Sequence, residues 1–233
     1  MVAAADHASD VHDSPPPASS EAVATLQRIG LATASSALSP VVLRARVLDG
    51  HALQRVSGRG AIAGTVVTAW NVWGSSPDNA TLFRMLRPGD VLVVAGDTSR
   101  ALWGDTATRR ALRRSARAAI VDGCVRDVDA VAETGFSVWA ARIFVGEGSR
   151  TGGPGAINVP LVVQGAIVEP GDVVVADGDG VGFFPRAMLD EIVAAAETRD
   201  AEDRRVVAEL ATGDHPEPAA CTPATRPNTN PRR

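Results

Sequence analysis

Two short apolar runs separated by a helix-like segment constrain the fold of this chain more than any other feature. Residues 90–95 read Asp-Val-Leu-Val-Val-Ala and residues 119–121 read Ala-Ile-Val, and both runs are typical of buried strands. The segment between them, 105–118, is rich in helix-forming alanine and arginine. Because this alternation indicates parallel strands with helices packed on the sheet, the sequence predicts an α/β fold.

Further segments continue the alternation of strands and helices. Gly30 is expected to end the first helix. Two tight turns, Pro88-Gly89-Asp90 and Pro170-Gly171-Asp172, each precede a buried run and form a partial repeat, to which we assign no chemistry. The remaining predicted helices cover 20–29, 79–86, 127–133 and 185–210, and the remaining predicted strands cover 61–69, 136–139 and 173–176.

The two ends of the chain differ in composition from its middle. Residues 1–19 are rich in Ala, Ser, Asp and Pro, and residues 213–233 contain a second proline-rich stretch. Both ends are expected to be disordered, since such segments bury too little apolar surface to fold. The sequence therefore predicts one domain over 20–212, between a disordered N-terminal arm and a disordered C-terminal tail.

Charge and composition exclude several functions. The net charge of −4 argues against a nucleic-acid surface. The first residues lack the pattern of a signal peptide, and no apolar stretch is long enough to span a bilayer, so we expect a cytoplasmic protein without membrane partners. The four histidines do not show metal-ligand spacing. All 23 basic residues are arginine, which excludes a lysine Schiff base and would require a metal for keto-acid chemistry.

The strongest functional signal is Gly104-Asp105 followed, after twenty residues, by Arg126-Asp127. Each half follows a predicted strand, where ligands of α/β sheets gather. An arginine can bind a carboxylate, one acid can hold a divalent metal and the other can orient a water, while amides at a helix start bind anions. The alternative readings are that each aspartate caps a helix and that Arg126 forms a surface ion pair.

The motif of Asp105, twenty residues and then Arg126-Asp127 resembles the signature of the class II 4-hydroxy-4-methyl-2-oxoglutarate/4-carboxy-4-hydroxy-2-oxoadipate aldolases. The same family includes the RraA-like proteins, which are named for a regulator of ribonuclease activity. Supporting stretches lie at 63–66, 88–93, 121–127, 168–172 and 177–181. Two positions depart from the family pattern, because Ser36 and Ala95 stand where aspartate is usual.

The resemblance implies a layered α/β sandwich like the swivelling phosphohistidine domains, with a long C-terminal helix and assembly as a homotrimer or homohexamer. It also implies Mg²⁺ or Mn²⁺ as the cofactor, with Asp127 as the direct metal ligand. Asp105 would orient the water that takes the proton from the substrate hydroxyl, and Glu202 would reach a neighbouring subunit's site. Pyruvate would be held by the backbone amides of Gly104, Asp105, Thr106 and Ala107 and by the Arg126 side chain.

The leading hypothesis is therefore a metal-dependent lyase that cleaves 4-hydroxy-2-oxo carboxylates to pyruvate and a second oxo-acid, and that also decarboxylates oxaloacetate. The alternative is a non-catalytic regulator that binds ribonuclease E. A phosphohistidine carrier would need a histidine in the core motifs, and none lies between His51 and His215.

Overall fold

A computed structural model describes residues 10–39, 42–43, 46–72, 77–96, 100–146 and 155–213. The chain divides into two compact units, Met1–Asp200 and Ala201–Arg233. The predicted domain boundaries at 20 and 212 stay predictions. The described part of the second unit is the final section of a long C-terminal helix and the residue after it.

The described strands are β1 (Asp10–Val11), β2 (Val47–Asp49), β3 (Gln54–Ser57), β4 (Ile62–Trp70), β5 (Val91–Ala95), β6 (Ala101–Trp103), β7 (Ala118–Val125), β8 (Ser137–Ile143), β9 (Ala156–Ile157), β10 (Leu161–Val163), β11 (Ala166–Val168), β12 (Val173–Ala176) and β13 (Gly180–Phe184). The described helices are α1 (Ser20–Ile29), α2 (Leu31–Ser35), α3 (Pro77–Met85), α4 (Asp105–Leu112), α5 (Val128–Glu133) and α6 (Leu189–Thr212), and a 3₁₀ turn at Arg186–Met188 precedes α6.

A large mixed sheet forms the centre of the first unit, with the strand order β2-β13-β12-β4-β5-β7-β8-β3. The four strands β4, β5, β7 and β8 pair in parallel, which confirms the parallel pairing predicted from the sequence. Antiparallel strands extend both sides of this parallel core. The fold is therefore a mixed α/β sheet with a long C-terminal helix.

Both faces of the parallel strands are covered, which explains their continuous apolar sequence. On one face, Leu92 and Val94 of β5 pack in a cluster with residues of α3, α4 and α5. On the other face, Val91 and Val93 pack in a cluster with the hairpin of β10 and β11. A third cluster joins α1, α2 and the start of α6 to β12 and β13.

The helix predicted over 105–118 ends at Leu112, and the strand predicted over 119–121 runs over Ala118–Val125. Ser115 adopts a left-handed backbone with φ of 56°, which ends the helical path early. The strand continues past Val121 because β6 takes over from β5 as the parallel neighbour of β7. Such long-range pairing is not visible in local sequence patterns.

The segment 10–19, predicted to be disordered, packs within the first unit. Its strand β1 pairs with β9, and the Ala18 amide donates to Thr65 Oγ1 at 2.9 Å. Arg87 Nη1 donates to the Pro15 carbonyl at 2.7 Å, and Arg186 Nη2 donates to the Pro17 carbonyl at 2.9 Å. Proline-rich backbone offers carbonyls without internal partners, so arginines can anchor it. The rest of the predicted arm (1–9) and residues 214–233 of the predicted tail lie outside the described residues.

No helix in the described ranges has the length and apolar content needed to cross a membrane.

Candidate functional site

The two halves of the sequence motif meet where β6 and β7 end side by side. These strands pair in parallel, with Trp103 opposite Val125. The Arg126 amide then donates to the Trp103 carbonyl at 3.0 Å. The residues that follow each strand, Gly104-Asp105 and Arg126-Asp127, are therefore neighbours in space.

Gly104 allows the close approach of the two halves. A Cβ atom at this position would lie 2.8 Å from Asp127 Oδ2 and 3.2 Å from Arg126 Cγ. The Asp105 amide nitrogen lies 3.4 Å from Asp127 Oδ2, and Arg126 Nε lies 3.7 Å from the same oxygen. One oxygen of Asp127 thus faces both a backbone donor and a guanidinium, which connects the two halves of the motif.

The structure also tests the capping alternatives. Asp105 is the first residue of α4 and Gly104 occupies the cap position, so the reading of Asp105 as the helix cap is wrong. Asp127 does stand at the cap position of α5, but its side chain makes no capping hydrogen bond. Its backbone is left-handed, with φ of 56° and ψ of 38°, which is an uncommon conformation for a residue with a side chain.

Arg109 holds the Asp105 carboxylate. The sequence motif did not assign this arginine to the site. Arg109 Nε donates to Asp105 Oδ1 at 2.8 Å and to Oδ2 at 2.9 Å. The hydrogen bond and the charge of Asp105 raise the pKa of the Arg109 guanidinium above its ordinary value. The spacing of four residues on one helix face was the available signal for this pair.

The start of α4 leaves backbone donors beside these side chains. Thr108 is the first residue of the helix whose amide bonds within it, to the Gly104 carbonyl at 3.0 Å. The amides of Thr106 and Ala107 lie in the first turn and have no acceptor inside the helix. The buried Trp103 Nε1 donates to Thr108 Oγ1 at 2.8 Å, which fixes the helix start against the end of β6.

The donor set of the site fits a hard divalent cation bound mainly through water. Among the described residues, no group of three or more His, Cys, Asp or Glu side chains gathers around one point. Asp127 keeps 48% of its side chain exposed, so its carboxylate is accessible from solvent. Mg²⁺ commonly binds proteins through one or two carboxylates and keeps several waters, so a single aspartate is compatible with it.

Glu202, the remaining predicted site residue, lies on the exposed surface of α6 in the second unit. Its assignment to a neighbouring subunit's site stays a prediction.

Three consecutive apolar residues next to the site are exposed, and the sequence analysis did not single them out. Ile143 and Val145 are 63% and 75% exposed, and Phe144 is 40% exposed. The Phe144 amide donates to the Val125 carbonyl at 3.0 Å, which places this segment beside the residue preceding Arg126. Single exposed apolar residues are ordinary, whereas a contiguous run more often marks a contact surface.

A family model described as RraA-like, Aldolase/RraA, matches residues 10–182. A protein of Halalkalibacterium halodurans, provisionally named 4-hydroxy-4-methyl-2-oxoglutarate aldolase, is 31% identical over 134 residues, which cover 55% of this chain and 63% of the relative. An Azotobacter vinelandii protein with the same provisional name is 36% identical over 102 residues, which cover 43% of this chain and 62% of the relative. The matches thus span less than two thirds of these two relatives.

Solved structures share the fold. The RraAS2 protein of Streptomyces coelicolor, described as an unusual member of the RNase ES inhibitor RraA protein family, superposes with a TM-score of 0.71 at 27% identity. That superposition covers 82% of this chain and 97% of the Streptomyces chain. Because the family match spans every candidate site residue except Glu202, and most of the chain, the protein belongs to the RraA-like family described as Aldolase/RraA.

Proposed function

We propose that this protein is a divalent-metal-dependent lyase that cleaves 4-hydroxy-2-oxo carboxylates, such as 4-hydroxy-4-methyl-2-oxoglutarate, to pyruvate and a second oxo-acid. The observation that carries the proposal is the close approach of Arg126 and Asp127 to Gly104 and to the backbone nitrogen of Asp105. The provisional aldolase names of the H. halodurans and A. vinelandii relatives support the same reaction class.

Each residue of the site has a role that follows from its chemistry. Arg126 would bind the substrate carboxylate, and the amides of Thr106 and Ala107 would add backbone donors at the positive end of α4. Asp127 would hold Mg²⁺ or Mn²⁺, and the bound ion would supply the positive charge that stabilises an enolate.

Asp105 would orient a water that accepts the proton of the C4 hydroxyl as the C3–C4 bond breaks. Arg109 holds both oxygens of Asp105 and thereby fixes the direction in which that carboxylate can accept a hydrogen bond. The electrons of the broken bond form the enolate of pyruvate, which a proton from solvent converts to pyruvate. Decarboxylation of oxaloacetate leaves the same enolate, so we propose this as a second activity.

Pyruvate release from both substrates tests the proposal. We expect turnover with Mg²⁺ or Mn²⁺, its loss on addition of EDTA, and a loss of about 100-fold or more in Arg126→Ala and Asp127→Ala. The exposed Arg113 and Asp129 provide matched controls, and Arg113→Ala and Asp129→Ala should retain the activity of the parent protein. Unchanged turnover in either site variant would contradict the assigned roles.

The second candidate is a non-catalytic regulator that binds ribonuclease E, which the description of the Streptomyces neighbour as an inhibitor-family member favours. This function does not need the acid–arginine–acid set. A pull-down with ribonuclease E, run beside the oxaloacetate assay, separates the two candidates. Capture of ribonuclease E by a protein that releases no pyruvate would favour the regulator.

We also propose assembly into a homotrimer or homohexamer, supported by the exposed run of Ile143, Phe144 and Val145 beside the site. Glu202 of a neighbouring copy would then assist the water held by Asp105. Light scattering coupled to gel filtration measures the mass, and Ile143→Asp with Val145→Asp should lower it. The likeness to swivelling phosphohistidine domains and the cytoplasmic location stay predictions.

A further inference from the structure

The repeated Pro-Gly-Asp turn builds the same local contact twice. In the first copy the Arg87 amide donates to Asp90 Oδ2 at 2.7 Å, and in the second the Glu169 amide donates to Asp172 Oδ2 at 3.0 Å. Both aspartates are buried, with 3% and 1% of their surface exposed. The two turns therefore place equivalent buried carboxylates before β5 and β12.

The two carboxylates differ in what neutralises them. Arg46 Nη1 donates to Asp172 Oδ2 at 2.6 Å, so a guanidinium of the chain itself compensates the second copy. Within the described residues, Asp90 receives only the Arg87 amide, because the Arg87 side chain binds the carbonyls of Ser14 and Pro15 instead. Burial raises the pKa of both the Asp90 and the Asp172 carboxyls, against the lowering effects of the Arg87 amide and charge at Asp90 and, among others, of the Arg46 charge at Asp172.

A cavity of about 710 Å³ lies beside Asp90. It is lined by Asp90, by the Pro17–Ala18 segment, by α1 and by β4. This volume is within the range of small-molecule sites, roughly 300–1,000 Å³. The cavity opens at the amino ends of β5 and β7, whereas the candidate active site follows the carboxyl end of β7.

The same cavity is lined by Arg117, whose guanidinium is hydrogen-bonded to a neutral side chain. In the described part of the chain, the Arg117 guanidinium donates to Gln27 Oε1, which is an amide oxygen without charge. Arg117 directly precedes β7, and its backbone nitrogen donates to the Asp90 carbonyl at 2.8 Å. A second lining arginine, Arg28, is already paired with Asp200 at 2.6 Å. The cavity lining therefore includes the buried Asp90 and the exposed Arg117, and neither forms an ion pair with another described residue.

We propose that this cavity binds a small zwitterion, an α-amino acid with an apolar side chain. Its ammonium would contact Asp90, as Arg46 contacts Asp172, and its carboxylate would contact Arg117. The apolar part of the lining, which includes Val23, would accept the side chain. A buried carboxylate and a guanidinium in one cavity match a ligand with both charges better than a ligand with either alone. This site is separate from the proposed lyase centre.

Calorimetric titration of the full chain with L-leucine tests the proposal. We expect saturable binding of L-leucine, and binding at least about tenfold weaker for 4-methylpentanoate, which lacks the ammonium, and for 3-methylbutylamine, which lacks the carboxylate. These comparisons use the parent protein and do not depend on the folding of any variant. Absence of saturable binding, or equal binding of either analogue, would overturn the proposal.

Matched variants locate the binding. Asp90→Asn keeps an acceptor for the Arg87 amide and removes the charge, and Arg117→Gln removes the guanidinium, so each should weaken L-leucine binding at least about tenfold. Arg113→Gln makes the same charge change outside the cavity and should bind as the parent does. Asp127→Ala should also bind normally, which separates this result from the lyase assay. Parent-like affinity in both cavity variants would contradict the assignment.

Discussion

Asp127 Oδ2 lies 3.4 Å from the backbone nitrogen of Asp105, although the two residues are 22 positions apart in the chain. The contact exists because β6 and β7 pair in parallel and end at the same edge of the sheet. It joins the start of α4 to the side chain of Asp127, a residue whose backbone is left-handed. The geometry of the candidate site therefore depends on how closely these two chain segments approach.

Gly104→Ala should damage the site more than the fold. The added Cβ would lie 2.8 Å from Asp127 Oδ2, so the carboxylate must move, and a displacement of about 1 Å can lower turnover by about 100-fold. The thermal unfolding midpoint should change little, because Gly104 has extended backbone that alanine also adopts. Gly178→Ala is the control, since its Cβ meets nothing within 4 Å. Equal turnover in both variants would show that the close approach of Gly104 to Asp127 does not matter for activity.

Arg109→Gln should lower pyruvate release while leaving stability nearly unchanged. The substitution removes the two hydrogen bonds that hold Asp105, but the pair is exposed and exposed pairs stabilise proteins only weakly. Arg205→Gln removes a comparable pair with Glu209 at 3.1 Å and should affect neither property. Measurement of kcat/KM and of the unfolding midpoint for both variants checks the prediction. An Arg109→Gln enzyme with the kinetics of the parent would contradict it.

The free energy of unfolding of the Asp90→Asn variant, relative to that of the parent protein, should increase as the pH rises. Burial raises the pKa of the Asp90 carboxyl in the folded state, so its contribution to stability is complete below the ordinary value of 3.8 and is lost as the pH rises through the raised value. Asparagine does not ionise and escapes this loss. Urea unfolding of both proteins from pH 4 to pH 8 should show the free-energy difference shifting towards the variant. A free-energy difference between the two proteins that does not change with pH would contradict the prediction.

Gln164→Ala should loosen the hairpin of β10 and β11. Gln164 Nε2 donates to Asp122 Oδ1 at 2.5 Å, and the backbone amide of Gln164 donates to Oδ2 at 3.3 Å. Alanine retains only the second bond, so we expect a loss of about 0.5–1 kcal/mol in the free energy of unfolding. Gln54→Ala, at an exposed strand position, is the comparison and should cost less. Identical stabilities of the two variants would contradict the prediction.

Local signals in the sequence predicted much of the central sheet. The strand predicted over 173–176 matches β12, and the helix predicted over 20–29 matches α1, with Gly30 directly after it. The runs at 61–69 and 90–95 correspond to β4 and β5 within one residue at each end. These elements are buried on both faces or end at glycine, which are properties carried by the residues themselves.

Local sequence patterns did not predict the features that depend on contacts between residues distant in the chain. The extension of β7 to Val125 needs β6 as a neighbour, and the order of residues 10–19 needs the arginines at 87 and 186. Asp105 is the first residue of α4 and not its cap, because the cap position is taken by Gly104, which lies against Arg126 and Asp127 after β7.

The proximity of Asp105 to Arg126 and Asp127 was predictable from the motif, since these residues follow two adjacent strands. The motif did not indicate that Arg109 fixes Asp105, because a row of arginines on one helix more often faces solvent. It also gave no sign of the exposed segment at 143–145, whose position follows from the pairing of β8 with β7.

Arg87 and Arg186 hold the proline-rich segment through its carbonyl groups, and this has a practical consequence for handling the protein. Trimming the chain to the compositional boundary near Ser20 would strip two guanidinium groups of their carbonyl acceptors and remove Pro17 and Ala18 from one wall of the cavity. Shortened versions intended for crystallisation or calorimetry should therefore begin before Asp10, and affinity tags should be joined upstream of that residue.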